Sequence, residues 1–384
     1  MKSKNKIYYW SPHLVNIATP RAVVNSAYSV KRYSSYFDTF IVNFFGEFNF
    51  FKDELEKIKI KLINHYRFNF LKYLPKYGKL KSRFSFFIIF IFSIFPLKRL
   101  LEKDKPDFLI IHLVTSLPLF LLIIFNFETK FILRISGLPN MNFFRKFFWK
   151  IALKKIYAVT CPTISTCDYI KSLEIVDSKK VKLLYDPIIN VKQTNYKKRI
   201  KSDIINKYTN YFCAVGRLTK QKNFIFLCKA FNKFLKFSPD NTLLIAGEGE
   251  QKEIIQRYII KNSLEKKIIL LGHLKNIFPL LSNSKAFILS SLWEDPGFVI
   301  LEAAFCKVPI LSSNCPNGPK EIIKHNYNGF LYDSNDLDSF VSETIKFEKN
   351  FADNKKILLN NLKICKQFTI FDHFKSINKI LMGD

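Results

Sequence analysis

Short apolar runs, each followed by a segment of helical character, recur along most of this chain. The clearest run, residues 108–113, is continuously apolar, as is typical of a strand buried on both faces of a parallel sheet. Other strands are predicted at residues 6–10, 40–44, 130–135, 158–161, 211–215, 242–246, 267–271, 286–290 and 309–311. Helices are predicted at residues 21–33, 118–125, 143–154, 224–237, 250–261 and 298–305, and residues 52–83 are expected to be mostly helical. Repeated strand–helix units with short links predict an α/β fold with doubly wound parallel sheets.

The length of the chain predicts two domains. A chain of 384 residues is long for one ordinary domain, and its 48% apolar content is enough for two cores. A polar, basic segment at 191–208 is the predicted linker between a domain at 1–190 and one at 209–362. The last segment, 363–384, is predicted as a helix that can cross back to the first domain. We expect two Rossmann-like domains facing a central cleft, with ligands at the carboxyl ends of the strands.

The charge of the chain is strongly positive, with 61 Lys and Arg against 31 Asp and Glu, a formal net charge of +30. Such a surface attracts nucleic acid, anionic membranes or phosphorylated substrates. The alternative is that a general enrichment in lysine only solvates the surface. Seven scattered cysteines without a CxxC motif predict reduced thiols, and the histidine spacing predicts no metal site.

A basic and aromatic stretch precedes the most apolar run, residues 84–97. Its members are Lys57, Lys59, Lys61, Tyr66, Arg67, Phe68, Phe70, Lys72, Tyr73, Lys76, Tyr77, Lys79, Lys81 and Arg83. The run itself is shorter than the roughly 20 residues that span a bilayer, so it is a core helix or an interfacial one. We expect no signal peptide, because the stretch after the basic start is too short and too polar for the apolar region of one. We expect peripheral binding to the cytoplasmic face of an anionic membrane.

Two segments carry residues suited to phosphates and sugars. In residues 215–223, Gly216 permits a tight turn, and Arg217 and Lys222 bring cations to the start of a helix, where a diphosphate would fit. The alternative is a solvated basic turn. In residues 291–303, Glu294 and Glu302 offer carboxylate acceptors for hydroxyl groups. Backbone amides at Gly297 and Phe298 can meet phosphate, although both carboxylates could instead be ordinary surface charges.

These segments resemble the family 4 retaining glycosyltransferases. Glu294 and Glu302 match the family's E-x7-E pattern, and residues 216–223, GRLTKQKN, resemble its GRL-x-x-x-K element. Further similar segments occur in order at residues 245–249, 271–274, 308–310, 318–322 and 328–331. The resemblance covers about residues 209–335, and the combination is more specific than any single element.

The resemblance implies a GT-B fold and a role for each matching residue. Arg217 and Lys222 would bind the donor diphosphate, Glu302 the ribose and Glu294 the donor sugar as a catalytic residue. The implied donor-binding set is Gly216, Arg217, Lys222, Gly247, Gly272, Gly297, Phe298 and Glu302. No metal or other cofactor is expected, because cationic side chains and a helix dipole can stabilise the leaving diphosphate.

The amino-terminal half resembles the family less closely. Residues 105–112 are similar to the family's strand that ends in a catalytic-site histidine, which would be His112. The alternative is a strand-end histidine bonded to a neighbour. Residues 134–137 are candidates for the acceptor side. The family's Gly-Gly turn is missing at residues 16–20, so any donor contact there would use the Ala18 and Thr19 amides.

The implied activity is retaining transfer of a hexosyl-type sugar from a UDP- or GDP-sugar to a saccharide or polyprenyl-linked glycan. Such a reaction belongs to the biosynthesis of lipopolysaccharide or O-antigen, capsule or exopolysaccharide. One alternative is a basic nucleic-acid-binding protein, but no helix-turn-helix, zinc-finger or RRM signature occurs, so we expect no nucleic-acid partner. Another is a nucleotide-sugar epimerase of GT-B architecture, against which the complete E-x7-E pattern argues.

Overall fold

The computed structural model describes residues 4–14, 18–67, 70–75, 79–200, 207–350 and 355–383. The chain divides into two compact units. Unit 1 holds Met1–Pro187 together with Ile370–Asp384, and unit 2 holds Ile188–Thr369. Each unit is built on its own parallel sheet, as the recurring strand–helix pattern predicts.

Unit 1 contains a seven-stranded parallel sheet in the order β3-β2-β1-β4-β5-β6-β7. The strands are β1 (Asn5–Trp10), β2 (Phe37–Asn43), β3 (Lys61–Asn64), β4 (Phe108–Ile111), β5 (Lys130–Arg134), β6 (Ala158–Cys161) and β7 (Val181–Leu183). The helices are α1 (Ala18–Tyr33), α2 (Lys52–Lys57), α3 (Lys79–Asp104), α4 (Ser116–Ile124), α5 (Phe143–Ala152), α6 (Ile164–Ser172) and, from the chain end, α15 (Ile370–Met382). The strand order reverses between β1 and β4, which makes their carboxyl ends the switch point where ligands usually bind.

Strand β4 shows why this sheet forms. All four of its residues are buried, and they alternate between two separate cores. Leu109 and Ile111 belong to the core on one face, and Phe108 and Ile110 belong to the core on the other. Side chains of a strand alternate between faces, so a continuous apolar run requires helices on both sides of the sheet. The second core includes residues of both α1 and α15, so the closing helix completes unit 1.

Unit 2 contains a six-stranded parallel sheet in the order β10-β9-β8-β11-β12-β13. The strands are β8 (Tyr211–Val215), β9 (Thr242–Ala246), β10 (Ile268–Gly272), β11 (Ala286–Leu289), β12 (Ile310–Ser313) and β13 (Phe330–Tyr332). The helices are α7 (Val191–Lys198), α8 (Phe224–Leu235), α9 (Lys252–Lys261), α10 (Phe278–Ser282), α11 (Phe298–Phe305), α12 (Gly318–Ile322), α13 (Leu337–Asn350) and α14 (Lys355–Cys365). Here the strand order reverses between β8 and β11.

Several segments differ from the sequence prediction. Residues 52–83 are not mostly helical, because they include strand β3, and the segment predicted as a linker begins with helix α7. Strands β3, β7 and β13 were not predicted. Phe68, Lys76 and Tyr77 of the basic stretch, and Asn16 and Ile17 of the glycine-free turn, lie outside the described residues. All seven cysteines are free and buried.

Helix α3 extends the apolar run 84–97 at both ends to 26 residues. Within the described part of the chain, its residues 82–104 form one helix long and apolar enough to cross a bilayer by length and composition. The helix is not enclosed by unit 1, since Phe84, Phe87, Phe92 and Phe95 are exposed. The alternative that this run is a plain core helix is therefore wrong for the part of α3 that carries these four phenylalanines.

Candidate functional site

Two loops of unit 2 leave the carboxyl ends of the neighbouring strands β8 and β11. The loop after β8 carries Gly216, Arg217 and Lys222, and the loop after β11 carries Glu294. They also bond to each other, since the Leu292 N–H donates to the Gln221 carbonyl at 2.8 Å. Because the sheet reverses its order between these strands, the predicted motif residues meet at the expected binding edge.

Lys222 and Glu294 form an ion pair at this edge. The side chain of Lys222 is 15% exposed and that of Glu294 is 5% exposed. The hydroxyl of Ser291 donates to Glu294 Oε1 at 2.5 Å, and that of Ser290 donates to the Lys222 carbonyl at 2.8 Å. A buried charge pair is tolerated when its remaining hydrogen-bonding capacity is satisfied, so this pair is held in a fixed geometry.

Three glycines bring the ends of β8, β9 and β10 together. The Gly247 N–H donates to the Gly272 carbonyl at 2.8 Å, and the Gly216 N–H donates to the Ala246 carbonyl at 3.0 Å. Gly247 has a φ of +155°, and a Cβ there would lie 1.8 Å from the Gly216 carbonyl oxygen. This close approach requires glycine, and it leaves the edge beside Lys222 lined by backbone that a ligand's phosphates can approach.

The other predicted donor-site residues lie on the same two segments. Arg217 is exposed and forms no ion pair among the described residues. Gly297 precedes α11 with a φ of +91°, and a Cβ there would lie 3.3 Å from Glu294 Cγ. Phe298 is the first residue of α11, and Glu302 lies half-buried one turn further on. The structure therefore groups Gly216, Lys222, Gly247, Gly272, Glu294 and Gly297 through contacts, and Arg217, Phe298 and Glu302 lie on the same two segments.

His112 follows β4 directly and lies at the switch point of unit 1. The backbone N–H of His112 donates to the Trp10 carbonyl at 2.9 Å, which links this residue to the end of β1. Burial, and then the positive charge of Arg134 and the neighbouring His373, hold the pKa of His112 well below the usual 6.5. The imidazole is therefore neutral at pH 7, and it can accept a hydrogen bond from a hydroxyl group or donate one to it.

A buried polar cluster supports His112. The Arg134 guanidinium, 3% exposed, donates to the Leu184 carbonyl at 2.9 Å and to Asp186 Oδ1 at 2.5 Å. His373 lies 2.7 Å from the Tyr185 carbonyl through Nδ1. With His112 these residues surround a cavity of about 10 Å³, the size of one water molecule.

The sequence did not point to Asp186 or His373. The signal for Asp186 is indirect, since a strand-end arginine in an apolar run needs an acidic partner. His373 lies on an amphipathic helix whose packing against α1 only the structure shows.

His112 and Arg134 also border an open groove of about 720 Å³ in unit 1. Helices α3 and α5 form its walls, and the segments after β4 and β5, including the predicted acceptor-side residues 134–137, form its floor. Ligand pockets of proteins typically span roughly 300–1,000 Å³, so the groove can hold a sizeable molecule. Of the residues that the structure describes, no group of His, Cys, Asp and Glu is arranged to hold a metal ion.

The comparisons with known proteins agree with this geometry. The family model for glycosyl transferases group 1 matches residues 195–361. An uncharacterized glycosyltransferase of Methanocaldococcus jannaschii is 31% identical over 242 residues, 59% of this chain and 60% of that protein. A galactosyltransferase of Escherichia coli that acts on GlcNAc-diphosphoundecaprenol is 28% identical, over 75% of this chain and 77% of that protein. An N-acetylgalactosaminyltransferase of Campylobacter jejuni, whose acceptor is an undecaprenol-PP-linked saccharide, is 28% identical over 87% of both chains.

Solved structures match both units. Anabaena HepE, crystallised with UDP, has a TM-score of 0.71 and 15% identity, with all of both chains covered. The lipopolysaccharide outer core galactosyltransferase WaaB has a TM-score of 0.70 and 16% identity, over 98% of this chain and 99% of that one. At this identity the likeness shows the fold, which is the GT-B type. The segment 195–361, which matches the glycosyl transferases group 1 model, lies within unit 2 and contains the motifs around Lys222 and Glu294. Together with the glycosyltransferase relatives, this match identifies the chain as a glycosyltransferase.

Proposed function

We propose that this chain transfers a hexosyl-type sugar, with retention, from a UDP- or GDP-sugar to a lipid-linked glycan in cell-surface polysaccharide biosynthesis. The observation that carries the proposal is the buried Lys222–Glu294 pair beside the glycine-lined edge of unit 2. A diphosphate needs cations and open backbone, and a sugar needs hydroxyl acceptors. This edge supplies both.

In this proposal, the donor diphosphate binds Lys222 and Arg217. A phosphate near Lys222 shares its ammonium with Glu294, so the carboxylate turns part of its hydrogen-bonding capacity toward the donor sugar. Glu302 accepts from the ribose hydroxyls, and the Phe298 amide at the start of α11 donates to phosphate. These fixed positive groups stabilise the leaving diphosphate without a metal ion, so transfer should survive EDTA.

His112 serves the acceptor side in unit 1. Its neutral imidazole, at the end of β4, can bond a sugar hydroxyl that faces the groove. A lipid-linked acceptor is supported by the relatives from Escherichia coli and Campylobacter jejuni, whose names include undecaprenol-linked diphosphates. A UDP-linked donor is supported by HepE, which was crystallised with UDP. Retention rests on the family resemblance, and NMR of the product's anomeric centre tests it.

We place the chain on the cytoplasmic face of a membrane as a peripheral protein. Exposed phenylalanines on α3 and α5, among them Phe95 and Phe147, lie on helices that also carry exposed lysines and arginines. Aromatic side chains insert at the headgroup level and basic ones are attracted to anionic lipids. Sedimentation with anionic vesicles tests this: Phe95→Ser with Phe147→Ser should weaken binding, and the exposed Phe237→Ser of unit 2 should not. Equal, negligible sedimentation of all three proteins would remove the membrane claim, and equal, strong sedimentation would show that the two phenylalanines do not contribute to binding.

Donor binding is tested with Arg217→Ala and Glu302→Gln. Thermal stabilisation by a panel of UDP- and GDP-sugars, and sugar transfer to an isolated lipid-linked glycan fraction, should both be lost. Each contact is charge-assisted and contributes about 1.5–3 kcal/mol. Lys220→Ala removes an exposed cation from the same loop and should change neither readout. Near-normal transfer by both site variants would show that the donor binds elsewhere.

A further inference from the structure

The groove of unit 1 has a regular aromatic wall with a charged rim. Arg83, Phe86, Phe87 and Phe90 line it from α3, and their spacing of three, four and seven residues places them on one face of the helix. Phe144, Arg145 and Phe148 line it from α5. Phe87 is 61% exposed and Phe144 is 80% exposed, so these rings are not core residues of unit 1.

The charge of the groove is positive. Among its described lining residues, none carries a carboxylate, and Arg83 and Arg145 are cations besides Arg134, which is paired with Asp186. Arg83 and Arg145 are exposed and form no ion pair with the described part of the chain. Both α3 and α5 begin without an acidic residue in the first turn. Arg145 lies in the first turn of α5, where a cation is unfavourable by itself, so an anion beside it would relieve that helix.

The aromatic wall and the positive charge of the groove together indicate which ligand fits it. For the ribose and base of a free nucleotide, the described lining residues offer no side-chain carboxylate or amide. A plain hydrocarbon would leave the two guanidinium groups without an anionic partner. A polyisoprenyl diphosphate matches both, because its branched chain suits the phenylalanine wall and its phosphates suit the arginine forks.

We propose that this groove binds the diphosphate and the first isoprene units of a lipid-linked glycan, with Arg83 and Arg145 holding the diphosphate. This inference rests on the proposed function for the presence of a lipid-linked acceptor. The polar floor at Thr115, Ser116 and Ser136 then receives the attached sugars, which brings them beside His112. The exposed outer face of α3, with Phe84 and Phe92, continues from the groove toward lipid.

Direct binding tests the inference without any need for sugar transfer. The full chain is titrated calorimetrically with farnesyl diphosphate, farnesol, inorganic pyrophosphate and UDP. The test variant is Arg83→Gln with Arg145→Gln. The matched control, Arg99→Gln with Lys146→Gln, removes two exposed charges from the same two helices outside the groove. Because Arg145 also donates to the Asn140 carbonyl at 2.8 Å, Arg83→Gln alone is measured as well.

We expect farnesyl diphosphate to bind more tightly than farnesol or pyrophosphate. The double test variant should weaken it at least about tenfold, as loss of two charge-assisted contacts implies. Arg83→Gln should give part of that loss, and the control variant none. UDP binding should be unchanged in the test variant, which separates this groove from the donor site. The inference is overturned if pyrophosphate binds as well as farnesyl diphosphate, or if test and control variants lose affinity equally. Failure of UDP binding in the wild type would instead count against the proposed function.

Discussion

Arg134 and Asp186 form a buried ion pair that joins the end of β5 to the segment after β7. The guanidinium Nη2 lies 2.5 Å from Asp186 Oδ1, while Nη1 donates to the Leu184 carbonyl. Both the interior cavity and the groove border this arginine, so the pair fixes the floor on which His112 lies.

Removing one partner of this pair should destabilise unit 1 strongly. Asp186→Leu leaves a buried guanidinium without its carboxylate and should lower the free energy of unfolding by about 3–5 kcal/mol. Arg134→Met combined with Asp186→Leu should recover part of that loss, because no unpaired charge remains. Urea unfolding measures both. The exposed pair Lys52–Glu56 is the control, and Lys52→Met should cost less than about 1 kcal/mol. A double variant as unstable as the sum of its single variants would contradict this account.

Gly247→Ala should disrupt the edge that binds the donor. Its new Cβ would lie 1.8 Å from the Gly216 carbonyl oxygen, so the loop beside Lys222 must shift. Gly137→Ala is the control, because its φ of +139° is equally unsuited to alanine but no atom lies within 4 Å of the new Cβ. Backbone strain alone costs about 1–3 kcal/mol, and Gly247→Ala should exceed the control in thermal destabilisation and also weaken UDP binding. Equal effects of the two substitutions would show that the close approach is unimportant.

His373 should make the stability of unit 1 fall at acidic pH. Burial lowers its pKa from 6.5 to about 3. The folded state therefore favours the neutral ring, and this contribution is complete above pH 6.5 and is lost as the pH falls toward 3. Each pH unit in that range costs about 1.4 kcal/mol, or about 2 kcal/mol between pH 6.5 and 5.

The measurement compares urea unfolding of wild type and His373→Gln at pH 7.5, 6 and 5. The variant should lose less stability on acidification. Burial raises the pKa of Glu47 to about 7, which acts in the opposite direction, but this contribution is common to both proteins and cancels in the difference. Parallel pH profiles would mean that His373 binds its proton in the folded state without penalty.

Much of the fold could be predicted because the central strands are continuous apolar runs. Strand β3 escaped prediction because Lys61 and Asn64 are exposed at the sheet edge, and its remaining residues are only half-buried. Strands β7 and β13 have three residues each, too few for a periodic signal. The apolar run of α3 was evident, but its exposed face depends on which neighbours pack against it.

The sequence could suggest single candidate residues for the site, but it could not predict the contacts between them. Lys222 and Glu294 each belong to a local motif, but they are 72 residues apart, and their pairing depends on β8 and β11 being neighbours. The cluster of His112, Arg134, Asp186 and His373 draws on four separate segments, including the closing helix α15. Local patterns contain no information about such distant partners.

The Lys222–Glu294 pair leads to opposite expectations for its two members. Lys222→Met removes a cation from the diphosphate site and leaves Glu294 buried without its partner, so UDP affinity and stability should both fall. Glu294→Gln keeps the side-chain shape and frees the ammonium, so UDP, which lacks the transferred sugar, should bind as well as in wild type or more tightly. Transfer should nevertheless drop at least about 100-fold, as is typical when a group that stabilises the transition state is removed.

Calorimetry with UDP and initial transfer rates separate the two effects. Glu302 contacts the ribose in our assignment, so Glu302→Gln should weaken the binding of UDP itself. If Glu294→Gln weakened UDP binding as much as Lys222→Met, the carboxylate would contribute to the nucleotide site and its assignment to the donor sugar would be wrong.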